Sequence, residues 1–282
     1  MATRPGASSR APHEGRAPRD GGLSLWLAGW GHATFASLWV RNYRLYYIGQ
    51  VISQSGTFLQ GVAQAWLVLK LTNSGTALGL IAALQNLPVL LFAPLGGALA
   101  DRFPKRKVLL FTQTGFGVLA FILGTLVVTG LVRVWMVAAL AFCFGLINCV
   151  DNPTRQSFVI EMVGAPQLRN AVSLNSTMMN LSRILGPALA GILITAVGLA
   201  PCFFLNGLSY GAVVLMLLAM RPAELLPVAA AGSGRSQIAD GFRYVYHTPA
   251  LRDILVIAAI IGTLTYEFQV SLPLLAQYTF HG

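Results

Sequence analysis

The chain has 282 residues, of which 55% are hydrophobic and only 10% are charged, and its formal net charge is +10. A soluble domain carries about 25% charged residues, so this composition argues against an ordinary water-soluble fold and indicates a membrane protein. Nucleic-acid binding needs Lys and Arg gathered on one folded face, whereas here they are spread between apolar runs, and we expect no nucleic-acid partner. The three cysteines lie inside apolar runs and lack metal-ligand spacing.

In chain order, residues 1–22 are rich in Arg, Gly, Pro and Ser, which predicts a disordered basic tail. Residues 23–42 contain three tryptophans, and we expect an interfacial aromatic segment there; a signal peptide is the competing interpretation. A helix needs about 20 mostly apolar residues to span a bilayer. Seven segments meet that length, at 43–69, 76–100, 107–131, 134–151, 171–197, 201–220 and 252–278.

These segments predict an all-α polytopic membrane protein. Residues 43–220 form a bundle of six helices, and residues 251–282 hold a seventh transmembrane helix. Between them, residues 221–250 begin as a Pro/Ala/Gly-rich linker and continue as a short amphipathic helix that we expect to lie on the membrane surface.

The distribution of Lys and Arg predicts the orientation, because cytoplasmic loops are enriched in basic residues. With a cytoplasmic N-terminus, sixteen of the nineteen basic residues lie on the inside, and only Lys70 and Arg133 lie in outside loops. The remaining one, Arg183, lies inside a predicted span. The sequence therefore predicts a multi-pass protein of the cell membrane whose N-terminus is cytoplasmic.

The turn between the second and third spans, GGALADRFPKRK at residues 96–107, concentrates five charges between two apolar runs. Its pattern resembles the loop signature of the major facilitator superfamily, with Pro104 where the family usually has Gly. Three further segments, 41–72, 151–159 and 170–194, are similar to the branch that contains the enterobactin exporter and related transmembrane secretion proteins. The resemblance covers residues 38–282.

The resemblance implies a transporter of twelve helices in two similar halves, with the substrate site between them. The chain then corresponds to the first half plus the seventh helix. It also implies a secondary active transporter without a cofactor, a proton-driven exporter of small amphipathic or siderophore-like molecules. The implied partners are that small-molecule substrate, protons, the lipid bilayer and the C-terminal half.

Two alternatives stay open. The chain is a transport-inactive fragment, or a half that assembles with a complementary bundle. A polytopic membrane enzyme is the less favoured alternative, because the sequence has no His/Asp/Glu cluster or nucleophile arrangement that faces one site. We therefore expect no enzymatic activity.

A transporter needs polar side chains on one face of its helices. One such stripe ends at Arg183, near the middle of the fifth span, where an arginine costs at least ~2.5–3.5 kcal/mol and so needs water or a counter-charge. The predicted cavity residues are Gln50, Gln54, Thr57, Gln64, Asn86, Ser176, Asn180, Arg183 and Glu267. Polar contacts between helices are the alternative for the glutamines, and a structural anchor, paired with Glu267 or another carboxylate, is the alternative for Arg183.

Charges at the cytoplasmic helix ends predict a gate. Its predicted members are Gly97, Asp101, Arg102, Arg106, Asp151 and Arg155. We expect Asp151 and Arg155 to form a charge cluster with Arg102 and Arg106. Gly97 and its neighbour Gly96 are expected to let two helix backbones approach closely. Solvated loop charges, worth less than ~1 kcal/mol, are the alternative. The sequence GPALAG resembles the fifth-span signature of exporters and predicts a tight packing face at Gly186, Pro187 and Gly191, although glycine and proline are common in any membrane helix.

Overall fold

A computed structural model gives the structure of the chain and describes residues 35–226 and 243–265, with Pro273 and Leu275 as isolated positions. The predicted basic tail, Glu267 and the end of the seventh predicted span lie outside the described residues. Within the described ranges the secondary structure is helical and contains no strand, which confirms the predicted all-α fold.

Six long helices organise the described part of the chain, with a shorter helical stretch at residues 243–247 and two brief 3-10 helices at Ala36–Trp39 and Pro222–Glu224. They are α1 (Arg41–Thr72), α2 (Gly75–Arg102), α3 (Lys105–Val128), α4 (Val134–Val197), α5 (Ala200–Ala219) and α6 (Pro249–Thr265). By length and composition, α2, α3, α4 and α5 are able to cross a membrane. The 32-residue α1 is long enough but carries four glutamines, and it is not among these four.

The 64-residue α4 joins two predicted spans, 134–151 and 171–197, into one element that breaks at Gly164. This glycine has φ 71° and ψ 171°, a backbone region that favours glycine. We call residues 134–163 the first arm and residues 165–197 the second arm. The helix continues past residue 151, the predicted end of the fourth span, because Phe158 and Met162 extend its apolar face for about three more turns and pack in one core cluster with Tyr46 of α1.

Two apolar clusters form the core, one toward each end of the bundle. The first contains Leu67 of α1, Ile81 of α2 and Phe203 of α5. The second contains Tyr43 of α1, Leu109 of α3 and the end of the first arm of α4. Along α1, the polar stretch 50–57 lies between the residues that belong to the first cluster and those that belong to the second. The bundle therefore has a polar layer between two apolar layers.

Helix α2 lies unusually close to the first arm of α4, at two glycines. A Cβ atom at Gly96 would collide with the carbonyl oxygen of Cys149, and one at Gly145 would collide with the carbonyl oxygen of Gln85. Gly97, in contrast, has nothing within 4 Å of its Cβ position. The close backbone approach predicted for both glycines of the turn therefore occurs at Gly96 and not at Gly97.

These neighbouring glycines allow a matched test of the helix crossing. Gly96→Ala forces α2 away from the backbone of α4, and overpacking of this kind costs about 1–3 kcal/mol. Gly97→Ala makes the same chemical change where there is space, so we expect a thermal unfolding midpoint in detergent close to that of the unchanged protein. Equal midpoints for the two variants would contradict the crossing described here.

Candidate functional site

The polar side chains of α1 contact three other helices. Gln54 Nε2 donates to the sulfur of Met179 over 2.8 Å, and Ser55 Oγ donates to Ser182 Oγ over 3.2 Å, both in the second arm of α4. Gln64 Nε2 donates to Gln85 Oε1 of α2 over 3.3 Å. The oxygens of Thr57 and of Tyr210 in α5 share a hydrogen bond of 2.9 Å.

These contacts favour the interhelical alternative for the polar stripe of α1. Gln50 is only 2% exposed and Gln54 is 9% exposed, so both side chains lie within the helix packing. A role for Gln50, Gln54, Thr57 and Gln64 in lining a cavity stays a prediction.

The first arm of α4 carries an ion pair inside the bundle. Asp151 is completely buried, and its Oδ2 lies 2.7 Å from Nε of Arg155, one turn further along the helix. The carboxylate also accepts hydrogen bonds at Oδ1 from the Thr112 hydroxyl (2.6 Å) and from Gln113 Nε2 (2.9 Å) of α3. Arg155 in turn donates from Nη1 to Gln50 Oε1 of α1 over 3.0 Å. One carboxylate and one guanidinium thus connect α1, α3 and α4.

A buried charge is stable only when it is paired and its remaining hydrogen-bonding atoms are satisfied. Asp151 has three partners from two helices, with hydrogen bonds at Oδ1 and the ion pair at Oδ2. The contact between Oδ2 and Arg155 Nε is an ion pair without hydrogen-bond geometry, so the attraction of the two charges holds that side of the carboxylate. Because Arg155 keeps 21% of its side chain exposed, the pair reaches from the buried interior toward the surface of the bundle. Any movement of α1 or α3 relative to α4 has to break or remake these bonds.

The charged turn between α2 and α3 uses different partners from those predicted. Lys105 forms an ion pair of 2.8 Å with Glu161 of the first arm of α4. Arg106 donates from Nε to the Leu217 carbonyl and from Nη2 to the Leu218 carbonyl, at the end of α5. The cluster predicted to join Arg106 with Asp151 therefore does not form, since the carbonyls left without helical partners at the end of α5 take up the guanidinium.

The two charged residues that precede Pro104 do not pack against other helices as Lys105 and Arg106 do. Asp101 and Arg102, at the end of α2, are exposed. Of the predicted gate residues, the structure brings together Asp151 and Arg155 only. It places Asp101 and Arg102 at the surface. A gating role for this set stays a prediction.

The second arm of α4 presents a different kind of polar face. Ser176, Asn180 and Arg183 are exposed. Ser176 donates to the Val172 carbonyl and Asn180 donates to the Ser176 carbonyl, so these two side chains bond within their own helix. The guanidinium carbon of Arg183 lies 5.8 Å from the centre of the Phe58 ring, a cation–π contact with α1.

Asn86 of α2 behaves in the same way. It is exposed, and its Nδ2 donates to the Ala82 carbonyl of its own helix over 2.9 Å. Asn86 and the exposed residues of the second arm thus differ from the polar residues of α1, which bond across helices. Cavity lining by these four exposed residues stays a prediction.

The two glycines of the predicted packing motif lie in different surroundings. A Cβ atom at Gly186 would lie 2.5 Å from Phe58 Cβ and 2.8 Å from the Ser55 carbonyl oxygen, so α1 and α4 touch there. Ala190, one turn further, is fully buried. Gly191 is exposed and has nothing within 4 Å, because it lies about a quarter-turn away from the face that Gly186 and Ala190 share.

Sequence reasoning missed the partners that close the polar layer. Thr112 and Gln113 of α3 hold Asp151, and Asn206 of α5 donates to Gln60 Oε1 over 2.8 Å. Thr112 and Gln113 belong to a short polar run in an apolar helix, and Asn206 is a polar residue in another apolar helix. Polar residues in that setting need a partner in the membrane, which is the signal that could have identified them. Within residues 35–226 and 243–265, no group of three or more His, Cys, Asp or Glu side chains could hold a metal ion.

Comparison with known proteins adds a family match. The profile of a family described as transmembrane secretion effector matches residues 32–282. The staphyloferrin A transporter of Staphylococcus aureus is 24% identical over 230 residues, which cover 80% of this chain and 57% of the relative. The multidrug efflux pump Tap of Mycolicibacterium fortuitum is 25% identical over 218 residues, covering 72% and 52%.

An uncharacterized MFS-type transporter of Bacillus subtilis, YfiS, is 25% identical over 217 residues, covering 75% of this chain and 51% of the relative. The chain thus spans about half the length of the curated relatives it matches. These three relatives are named as transporters or efflux pumps.

The buried ion pair provides a stability test. Asp151→Asn leaves the Arg155 charge inside the bundle without its partner, and removing one member of a buried pair costs about 3–5 kcal/mol. We expect a markedly lower thermal unfolding midpoint in detergent. The double change Asp151→Asn with Arg155→Gln removes the unpaired charge and should recover part of the loss.

The matched control is Glu224→Gln, which breaks the exposed 3.0 Å ion pair with Arg221. An exposed pair contributes about 0–1 kcal/mol, so its midpoint should hardly change. If Asp151→Asn lowered the midpoint no more than Glu224→Gln, the buried ion pair would not stabilise the bundle as we describe.

Proposed function

Because the chain belongs to the transmembrane secretion effector family of the major facilitator superfamily, whose members matched here include efflux pumps, we propose that it works in proton-driven export of small amphipathic or siderophore-like molecules. The names of two relatives, the staphyloferrin A transporter and the multidrug efflux pump Tap, support this range of substrates. The N-terminus is cytoplasmic in this proposal, as the distribution of basic residues predicts.

One observation carries the proposal, the exposed polar stripe on the second arm of α4. Ser176, Asn180 and Arg183 follow one another at intervals of four and three residues, which places them on one helix face. An arginine at that depth is tolerated only beside water or a counter-charge. Arg183 contacts the Phe58 ring of α1. An exposed polar stripe that carries a cation suits the wall of a water-filled path, with Arg183 as the group that meets an anionic or polar part of the substrate.

Transport by the chain requires a second helical bundle in this account. The supporting observation is that the chain spans about half of each matched relative, while the polar stripe of the second arm stays exposed among the described helices. A substrate site between two bundles would cover this stripe. Ethidium efflux from cells that express the chain alone should be absent, and it should appear when a complementary bundle is supplied.

Arg183 is the residue to change in the active assembly. Arg183→Gln removes the charge that is costly in the membrane, so we expect normal insertion and abundance but at least a tenfold slower ethidium efflux. Arg183→Lys keeps the charge without the planar five-donor group and should restore efflux only in part. A protonophore should stop the efflux of the unchanged protein if protons drive it.

The matched control is Arg133→Gln, which removes an exposed arginine from the loop before α4 and should leave efflux unchanged. Normal efflux by an abundant Arg183→Gln protein would contradict the proposal. Loss of abundance and thermal stability together with efflux would instead support the structural-anchor alternative for Arg183. Efflux that survives the protonophore would contradict proton coupling alone.

A further inference from the structure

A groove lies where α2 and α3 diverge from their shared turn. The two helices touch little beyond that turn, and the first arm of α4 forms the floor between them. The groove has a volume of about 460 Å³, within the range of sites that hold small molecules. Leu99 and Phe103 line one wall, Val108 and Phe111 line the other, and Leu146 and Ile147 are among the floor residues.

Among the described residues that line this groove, the polar side chains are Lys107 and Thr112. The Thr112 hydroxyl donates to the buried Asp151 carboxylate, so it is already occupied. The three consecutive basic residues of the turn differ in their partners. Lys105 pairs with Glu161 and Arg106 donates to carbonyls of α5, whereas Lys107 is exposed and its ammonium group makes no ion pair or hydrogen bond with the residues that the structure describes.

The groove opens to the outside of the bundle. Phe111 is 81% exposed and Phe103 is 51% exposed, and Leu146 of the floor is 40% exposed. Outward-facing apolar side chains of this size on a membrane helix contact lipid tails. The cationic end of the groove lies at the α2–α3 turn, where a chain that crosses the membrane meets the lipid headgroups.

We infer that this groove binds one anionic phospholipid of the adjoining leaflet. One acyl chain lies between α2 and α3, over Leu146 and Ile147, and the phosphate group contacts the Lys107 ammonium. Charge complementarity selects this occupant, because the one polar side chain of the described groove residues that has no partner among them is a cation, Lys107, while the other walls are apolar. The inference goes beyond the proposed function, since no step of substrate transport depends on it.

Native mass spectrometry of the purified protein tests the inference. The protein is released from detergent after incubation with phosphatidylglycerol or with phosphatidylcholine that carries the same acyl chains. We expect one phosphatidylglycerol to stay bound at concentrations where phosphatidylcholine does not. Lys107→Gln should weaken phosphatidylglycerol binding about fivefold, the change expected for one basic side chain at an anionic lipid surface. Ile147→Trp fills the floor and should weaken binding of both lipids.

The matched control is Lys70→Gln, which removes an exposed lysine in the last turn of α1, away from the groove. It should leave phosphatidylglycerol binding unchanged. Equal binding of the two lipids, or equal losses for Lys107→Gln and Lys70→Gln, would overturn the inference. Lys107→Gln is a surface change and should fold normally, so it decides the question even if Ile147→Trp does not fold. Absence of bound lipid in an assembly with a second helical bundle would identify that bundle as the occupant and would also overturn it.

Discussion

Hydrocarbon offers no hydrogen-bond partners, so each polar side chain inside the bundle has to be satisfied by another part of the protein. The ion pair between Asp151 and Arg155 shows this constraint most clearly, because a fully buried carboxylate is stable only with its arginine and with the two donors that α3 supplies. Gln50 of α1 completes the arginine side of the network. The arrangement of α1, α3 and α4 therefore depends on four interactions around two charges, while the apolar clusters on either side exclude lipid and water.

The same constraint separates two kinds of polar residue in the chain. Gln54 and Gln64 of α1 bond to other helices, as a packed interior requires. Ser176 and Asn180 on the second arm of α4 bond to their own backbone and stay exposed. Self-satisfied side chains of this kind do not hold helices together and are free to meet water. This difference, together with the arginine that ends the stripe, is why the proposed path runs along the second arm and not through the glutamines of α1.

Much of the fold could be predicted from the sequence, since apolar runs of sufficient length determine helices. The ion pair between Asp151 and Arg155 could also be predicted, because residues four apart share a helix face. The partners of Arg106 could not be predicted, because they are backbone carbonyls more than a hundred residues away. The turn at Gly164 replaced a predicted loop because the residues before it continue an apolar helical face, and a boundary of that kind depends on tertiary packing. Gly96 and Gly97 look alike in sequence, and only the helix crossing distinguishes them.

The most direct test of the central claim is the water accessibility of the second arm of α4. In a cysteine-free background, Asn180→Cys places a thiol on the polar stripe, while Leu185→Cys places one at an exposed apolar position on the opposite face of the same helix. Maleimide and thiosulfonate reagents react with the thiolate, which forms in water and not in hydrocarbon. In the active assembly, a charged, water-soluble thiosulfonate should label position 180 rapidly and position 185 at least tenfold more slowly. Equal labelling of the two positions, or faster labelling at 185, would contradict the claim that the stripe faces a water-filled path.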